Sequence, residues 1–128
     1  MKKEDVINEL IERFNWSLEN IHLGIRAGFK CEYCDRDLLA SFDNYDAWQN
    51  DHIIPTSKGG SDHPDNIAIV CKTCNFLKRA WVPGDDSGQV GDRKKQVALA
   101  RSWIRDKRAS KERDLEEIRI LASQLKES

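Results

Sequence analysis

The sequence predicts a small α+β protein, in which helical segments at both ends flank a short core with two strands. Two observations support this fold class. Apolar residues recur at steps of three and four within 3–21 and 92–126, which is the spacing of one helix face. Between these segments, four cysteines in two C-x2-C pairs enclose two short runs with strand character, 47–54 and 67–70.

The chain of 128 residues fits one domain with a single modest core. Its predicted parts are an N-terminal helix and connection at 1–28, a cysteine-clamped core at 29–82 and a basic helical arm at 92–126. No run approaches the ~20 apolar residues of a membrane span, and the first residues lack the apolar stretch of a secretory signal. We therefore expect a cytoplasmic protein without a membrane partner.

The N-terminal segment is predicted to form one helix over 3–21, with acidic residues early, where the helix dipole favours them. Gly24 and Gly28 are expected to interrupt the helical pattern ahead of the first cysteine pair. The pattern over 35–47 is compatible with either a strand or a short helical turn.

The middle of the chain predicts a strand, a loop, a second strand and a helix. The first strand, 47–54, is stopped by Pro55, and the polar, glycine-containing sequence TSKGGSDHPDN predicts a long loop. The second strand is the apolar run 67–70, and a helix is expected from the second cysteine pair to about Ala80.

The C-terminal part begins with a Gly- and Asp-rich connection at 84–92. Helical periodicity then continues over 92–126, as one long helix or as two with a break near 108–111.

The cysteines predict a metal site. Cys31 and Cys34 form one C-x2-C pair and Cys71 and Cys74 the other, and the chain has no further cysteine. Four thiolates that converge at about 2.3 Å from the metal are the ligands of a structural Zn²⁺. Four unrelated buried thiols, or a redox pair, are the alternatives.

The charge is unevenly distributed. The formal net charge is only −1, but nine Lys or Arg against two acidic residues lie between Arg93 and Arg113. Such a segment can face an anionic partner such as DNA, or it can be a solvated helix face. Arg101, Arg105 and Arg108 are the candidates here for contacts with DNA phosphates.

The stretch DHIIPTSKGGSDHPDNIAIVCKTCNFLK resembles the HNH endonuclease motif, in the subtype in which two C-x2-C pairs hold a structural zinc. The resemblance covers roughly Cys31 to Lys78. It implies a ββα-metal core and metal-dependent hydrolysis of phosphodiester bonds in DNA by one divalent ion. One such unit carries one active site, so a monomer or weak dimer is expected to nick one strand of DNA. A recognition domain is not evident in the sequence, so low sequence specificity is expected, with a partner protein as one source of specificity.

The resemblance also implies residue roles. His52 matches the general base, and Asn66 matches the asparagine that steadies the loop and the orientation of the histidine. Asp51 and Asn75 take the positions that hold the catalytic ion. Because a carboxylate and an amide oxygen suit hard ions, Mg²⁺ or Mn²⁺ is expected there.

Two basic residues and two histidines complete the candidate set. Lys78 and Arg79 lie three and four residues after Asn75, so they are expected on the same helix face, close to a phosphate. His63 and His22 receive no role from the resemblance, and solvent exposure is expected for both.

Two other function classes are compatible with the sequence. A zinc-stabilised DNA-binding module could use the same scaffold without catalysis, and a nuclease could be specialised for RNA or branched DNA. The combination of Asp51, His52, Asn66 and Asn75 favours catalysis, since a module that only binds has no need of all four.

Overall fold

A computed structural model describes residues 1–83 and 92–127. The helices and strands, in chain order, are α1 Lys3–Phe14, α2 Leu18–Ala27, α3 Phe42–Asp46, β1 Trp48–His52, β2 Ile67–Cys71, α4 Lys72–Lys78 and α5 Arg93–Glu127. The predicted α+β class is confirmed. The predicted connection 84–92 lies, except for Asp92, outside the described residues.

The prediction of one helix over 3–21 is wrong. Helix α1 ends at Phe14, followed by its C-cap Asn15, whose φ of 60° is left-handed. Helix α2 begins after Ser17, whose Oγ accepts a hydrogen bond from the Asn20 N–H at 3.0 Å. Asparagine adopts the left-handed conformation and serine caps helix starts, so these two residues separate the helices. The predicted interruption at Gly24 is also wrong, because α2 continues to its C-cap at Gly28.

The remaining elements follow the predicted order with small shifts. Residues 42–46 of the ambiguous segment are helical, and β1 is shorter than predicted because it ends at His52. Helix α4 ends at Lys78, before Ala80. The C-terminal segment is one continuous helix, which decides between the two alternatives left by the sequence.

The two strands pair antiparallel, with His52 opposite Ile67 and Trp48 opposite Cys71. All five residues of β2 are buried, which is consistent with its continuous apolar sequence. Helix α4 follows β2 directly, and the first turns of α5 pack through Ala100 and Ile104 on the same core. Strand, loop, strand and helix thus form one ββα unit, with the second cysteine pair at the junction of β2 and α4.

Candidate functional site

The four cysteine sulfurs converge. The Sγ atoms all lie within 4.8 Å of one another, and they belong to Cys31, Cys34, Cys71 and Cys74. The Cys34 and Cys71 sulfurs are 3.7 Å apart. Sulfurs at tetrahedral positions around a zinc ion, each about 2.3 Å from it, are about 3.8 Å apart. The cluster therefore has the composition and spacing of a four-cysteine metal site.

Two features of the fold build this cluster. The first pair sits in a tight turn in which the Cys31 N–H donates to the Arg36 carbonyl and the Asp35 N–H donates to the Cys31 carbonyl. The second pair straddles the start of α4, where the Cys71 sulfur accepts a hydrogen bond from the Cys74 N–H at 3.4 Å. The site thus joins the beginning of the core to the junction of β2 and α4.

The crowded sulfurs perturb one another. The neighbouring thiol of Cys31 lowers the pKa of Cys34 to about 6, and it lowers the pKa of Cys71 far below the ordinary thiol value. Thiolate is the form that binds metal ions. The same crowding raises the pKa of Cys31, chiefly through Cys34, and that of Cys74, chiefly through Cys31. Two of the four sulfurs therefore favour the thiolate form before a cation binds.

Two of the arginines predicted to contact phosphates also hold α5 against the cysteine cluster. Arg101 forms a two-point ion pair with Asp35, at 2.7 and 3.1 Å, and donates to the Glu32 carbonyl. Arg108 donates to the Cys74 sulfur at 3.5 Å. Arg105 is exposed. Part of the basic segment thus balances charges within the protein.

Asp51 lies inside the core. Its carboxylate accepts a hydrogen bond from the Tyr33 hydroxyl at 2.7 Å and pairs with the Lys78 ammonium at 3.0 Å. Burial raises the pKa of Asp51, against the opposing effects of Lys78 and Tyr33. The carboxylate is therefore held by a fixed cation and a fixed donor rather than by solvent.

Lys78 does not lie where the sequence places it. Its side chain is 0 % exposed, and besides Asp51 its ammonium contacts the His52 carbonyl at 3.2 Å. Lysine is rarely fully buried unless it is paired, and here Asp51 supplies the partner. A direct phosphate contact by Lys78 would require this ammonium to leave its buried position. Arg79, by contrast, is exposed.

His52 points to the opposite side of β1 from Asp51, as alternation along a strand requires. Its side chain is 32 % exposed, and its Nε2 lies 2.7 Å from Oδ1 of Asp62. If Nε2 carries the proton and donates it to this carboxylate, Nδ1 is left as the proton acceptor. The imidazole is thus oriented and open to a small molecule.

Sequence reasoning missed Asp62, and no spacing rule would have found it. It lies ten residues after His52 and reaches the imidazole only because the loop folds back on itself. Gly60 makes this fold possible, since a Cβ at this position would lie 1.7 Å from the Ile54 carbonyl oxygen. The Gly-Gly pair was the available signal of such a close approach.

Asn66 holds the same loop closed. It is 1 % exposed, and its Oδ1 accepts a hydrogen bond from the Ile54 N–H at 2.8 Å. Its Nδ2 donates to the carbonyls of Ile54 and Ser61 at 3.0 and 2.7 Å. The two bonds to Ile54 tie the end of the loop to its beginning, next to His52, and the bond to Ser61 holds the later half of the loop. His63, in contrast, is exposed and accepts a hydrogen bond from the Asp65 N–H at 3.1 Å.

Asn75 and Asp51 share the interface between α4 and β1. Asn75 donates through Nδ2 to Oε1 of Gln49, and Gln49 lies two residues before Asp51, on the same strand face. No hydrogen bond within residues 1–83 and 92–127 reaches Oδ1 of Asn75 or Oδ1 of Asp51. A carboxylate oxygen and an amide oxygen suit Mg²⁺, which binds few protein ligands and keeps several waters.

Comparison with known proteins gives a family match over the core. The family model described as HNH endonuclease matches residues 31–80, which confirms the resemblance over this segment, from the first cysteine to just beyond α4. No curated protein and no solved structure matches the chain. None of the helices in the described ranges has the length and apolar character needed to cross a membrane.

Proposed function

We propose that the protein is a metal-dependent endonuclease that hydrolyses phosphodiester bonds in DNA, with His52 as the general base and one catalytic ion. The proposal depends above all on the geometry of His52. This imidazole is partly exposed, is oriented by Asp62 through Nε2 and lies beside the loop that Asn66 closes. The family match over residues 31–80 supports a nuclease rather than another hydrolase.

In the proposed reaction, one pair of residues transfers the proton and another pair binds the catalytic ion. Nδ1 of His52 takes a proton from the attacking water, while Asp62 holds the Nε2–H and stabilises the resulting imidazolium. Oxygens of Asp51 and Asn75 would hold the catalytic ion. When bound, a divalent ion stabilises the charge on the phosphoryl group and on the departing 3′-oxygen.

The cysteine cluster is proposed to hold Zn²⁺ in a structural role. Four sulfur ligands close the coordination shell of a tetrahedral ion and leave no position for substrate. The guanidinium group of Arg108, which donates to the Cys74 sulfur, partly balances the negative charge of four thiolates. Zinc and the catalytic ion therefore belong to separate sites with different chemistry.

The identity of the catalytic ion can be tested with the protein loaded with zinc at its cysteines. Supercoiled plasmid is incubated with added Mg²⁺, Mn²⁺ or Zn²⁺, or with no added metal. We expect nicked circles with Mg²⁺ and Mn²⁺ and none without added metal, because the available ligand atoms are oxygens. Strong activation by Zn²⁺ alone would contradict the assignment of Asp51 and Asn75.

The positioning role of Asp62 can be tested by Asp62→Asn. We expect kcat to fall about tenfold with an unchanged KM, because a neutral amide orients the imidazole less well and does not stabilise its charged form. Asp62→Glu should restore part of the loss. The matched control is Asp65→Asn, in the same loop but outside contact with His52, and equal losses in both variants would argue against the role.

A further inference from the structure

A cleft with a volume of about 400 Å³ lies between the C-terminal end of α4 and the middle of α5. Aromatic and basic side chains dominate its lining, and they come from both helices. The residues that matter here are Phe76, Arg79, Trp81, Trp103, Lys107 and Lys111. Its lining does not include His52, Asp62 or Asn66.

The charge of the cleft is positive. Arg79, Lys107 and Lys111 are exposed, and no acidic residue lines the cleft with them. Within residues 1–83 and 92–127, none of these three cations forms an ion pair. By comparison, Arg93 pairs with Glu32 and Arg101 with Asp35.

Aromatic rings hold two of these cations at the surface. The Arg79 guanidinium lies 4.4 Å from the centroid of the Phe76 ring, and the Lys107 ammonium lies 4.7 Å from that of Trp103. Trp103 in turn stacks on Trp81, with ring centroids 4.9 Å apart and planes 4° apart. Such contacts position a cation without neutralising it with a carboxylate, so the charges remain available to an anionic ligand.

The cleft and the proposed active site share the helix α4. Phe76 follows Asn75 directly, and Lys78, which also lines the cleft, contacts Asp51 and the His52 carbonyl. One helix thus contributes residues both to the proposed site and to the cleft.

We propose that this cleft binds the phosphate backbone of the DNA next to the scissile bond, through Arg79, Lys107 and Lys111. The proposal depends on the proposed nuclease function and adds the surface along which substrate lies. It also divides the basic segment: Arg101 and Arg108 contact protein groups, while Lys107 and Lys111 contact DNA.

The test is binding of a short fluorescein-labelled DNA duplex, measured by fluorescence anisotropy without divalent ions, with every variant in the His52→Ala background. Lys107→Glu with Lys111→Glu is compared with Lys94→Glu with Lys95→Glu. Lys94 and Lys95 are exposed at the start of the same helix, and they do not line the cleft. Each pair replaces two lysines by two glutamates, so both pairs change the net charge equally.

We expect Lys107→Glu with Lys111→Glu, the cleft pair, to raise Kd for the duplex about tenfold relative to the His52→Ala parent, measured at salt concentrations from about 50 to 200 mM. Its slope of log affinity against log salt should be smaller by about two, near one for each lost phosphate contact. The control pair should stay within about twofold of its parent, and Lys107→Arg with Lys111→Arg should keep the parent affinity because arginine also binds phosphate.

Equal weakening by the two glutamate pairs would overturn the proposal, because net charge alone would then explain binding. So would unchanged binding of the cleft pair when its circular dichroism matches that of the parent. If wild-type protein cleaves plasmid and depends on His52 while the two pairs behave alike, the cleft proposal fails alone. If wild-type protein neither binds nor cleaves DNA, the proposed function fails with it.

Discussion

Replacing Cys71 by serine is expected to abolish metal binding and cooperative folding of the core. Its sulfur belongs to the four-cysteine cluster and also accepts the hydrogen bond that begins α4. Structural zinc contributes about 10–16 kcal/mol of apparent binding free energy in small zinc domains. This is comparable to the whole ~5–15 kcal/mol by which folded proteins are stable, so loss of the ion should leave a largely unfolded core.

The measurement combines zinc content per chain, by elemental analysis, with thermal unfolding followed by circular dichroism. Wild-type protein should carry one zinc and melt cooperatively, whereas Cys71→Ser should carry none and show no cooperative transition. Thr73→Ser is the matched control, because Thr73 is exposed within the same turn. A Cys71→Ser variant that melts like wild type would show that the cluster does not stabilise the fold.

Replacing His52 by alanine is expected to remove cleavage while leaving the fold intact. Loss of a general base lowers the rate of hydrolysis by about 100- to 10,000-fold. The side chain is partly exposed, and its hydrogen-bond partner Asp62 is 91 % exposed, so its removal leaves no buried group without a partner. Zinc content and thermal unfolding should therefore match those of wild type.

The control for this variant is His63→Ala, which removes an exposed histidine from the same loop. Its initial rate of plasmid nicking should stay within about twofold of wild type, since the hydrogen bond that its ring accepts, from the Asp65 N–H, does not involve His52 or Asp62. Similar losses in both variants would indicate that loop structure, rather than proton transfer at His52, determines the rate. Loss of zinc or helicity in His52→Ala would likewise assign it a structural role.

Local patterns in the sequence predicted the core of this fold well. The repeated C-x2-C spacing predicted convergence of the cysteines, since each pair places two sulfurs on one tight turn. The apolar run 67–70 predicted a buried strand, and the family motif placed His52 at the end of its partner. These predictions depend on residues that are close in sequence or fixed by a known motif.

Long-range contacts were not predictable from the same patterns. The hydroxyl of Tyr33 and the ammonium of Lys78 meet at Asp51, although the sequence separates them widely. A lysine in a basic helix is ordinarily exposed, and its burial follows only from the packing of α4 on β1. The break between α1 and α2 was missed for a local reason, because apolar periodicity continues across Asn15 and Ser17.

The central claim is that this chain cuts DNA rather than only binding it. The most direct measurement is agarose-gel analysis of supercoiled plasmid incubated with zinc-loaded wild-type protein and Mg²⁺, beside His52→Ala under the same conditions. We predict nicked circles that accumulate with wild-type protein, depend on Mg²⁺ and are absent with His52→Ala. Plasmid that is retarded by bound protein but stays supercoiled would contradict the claim and indicate a DNA-binding module without catalysis.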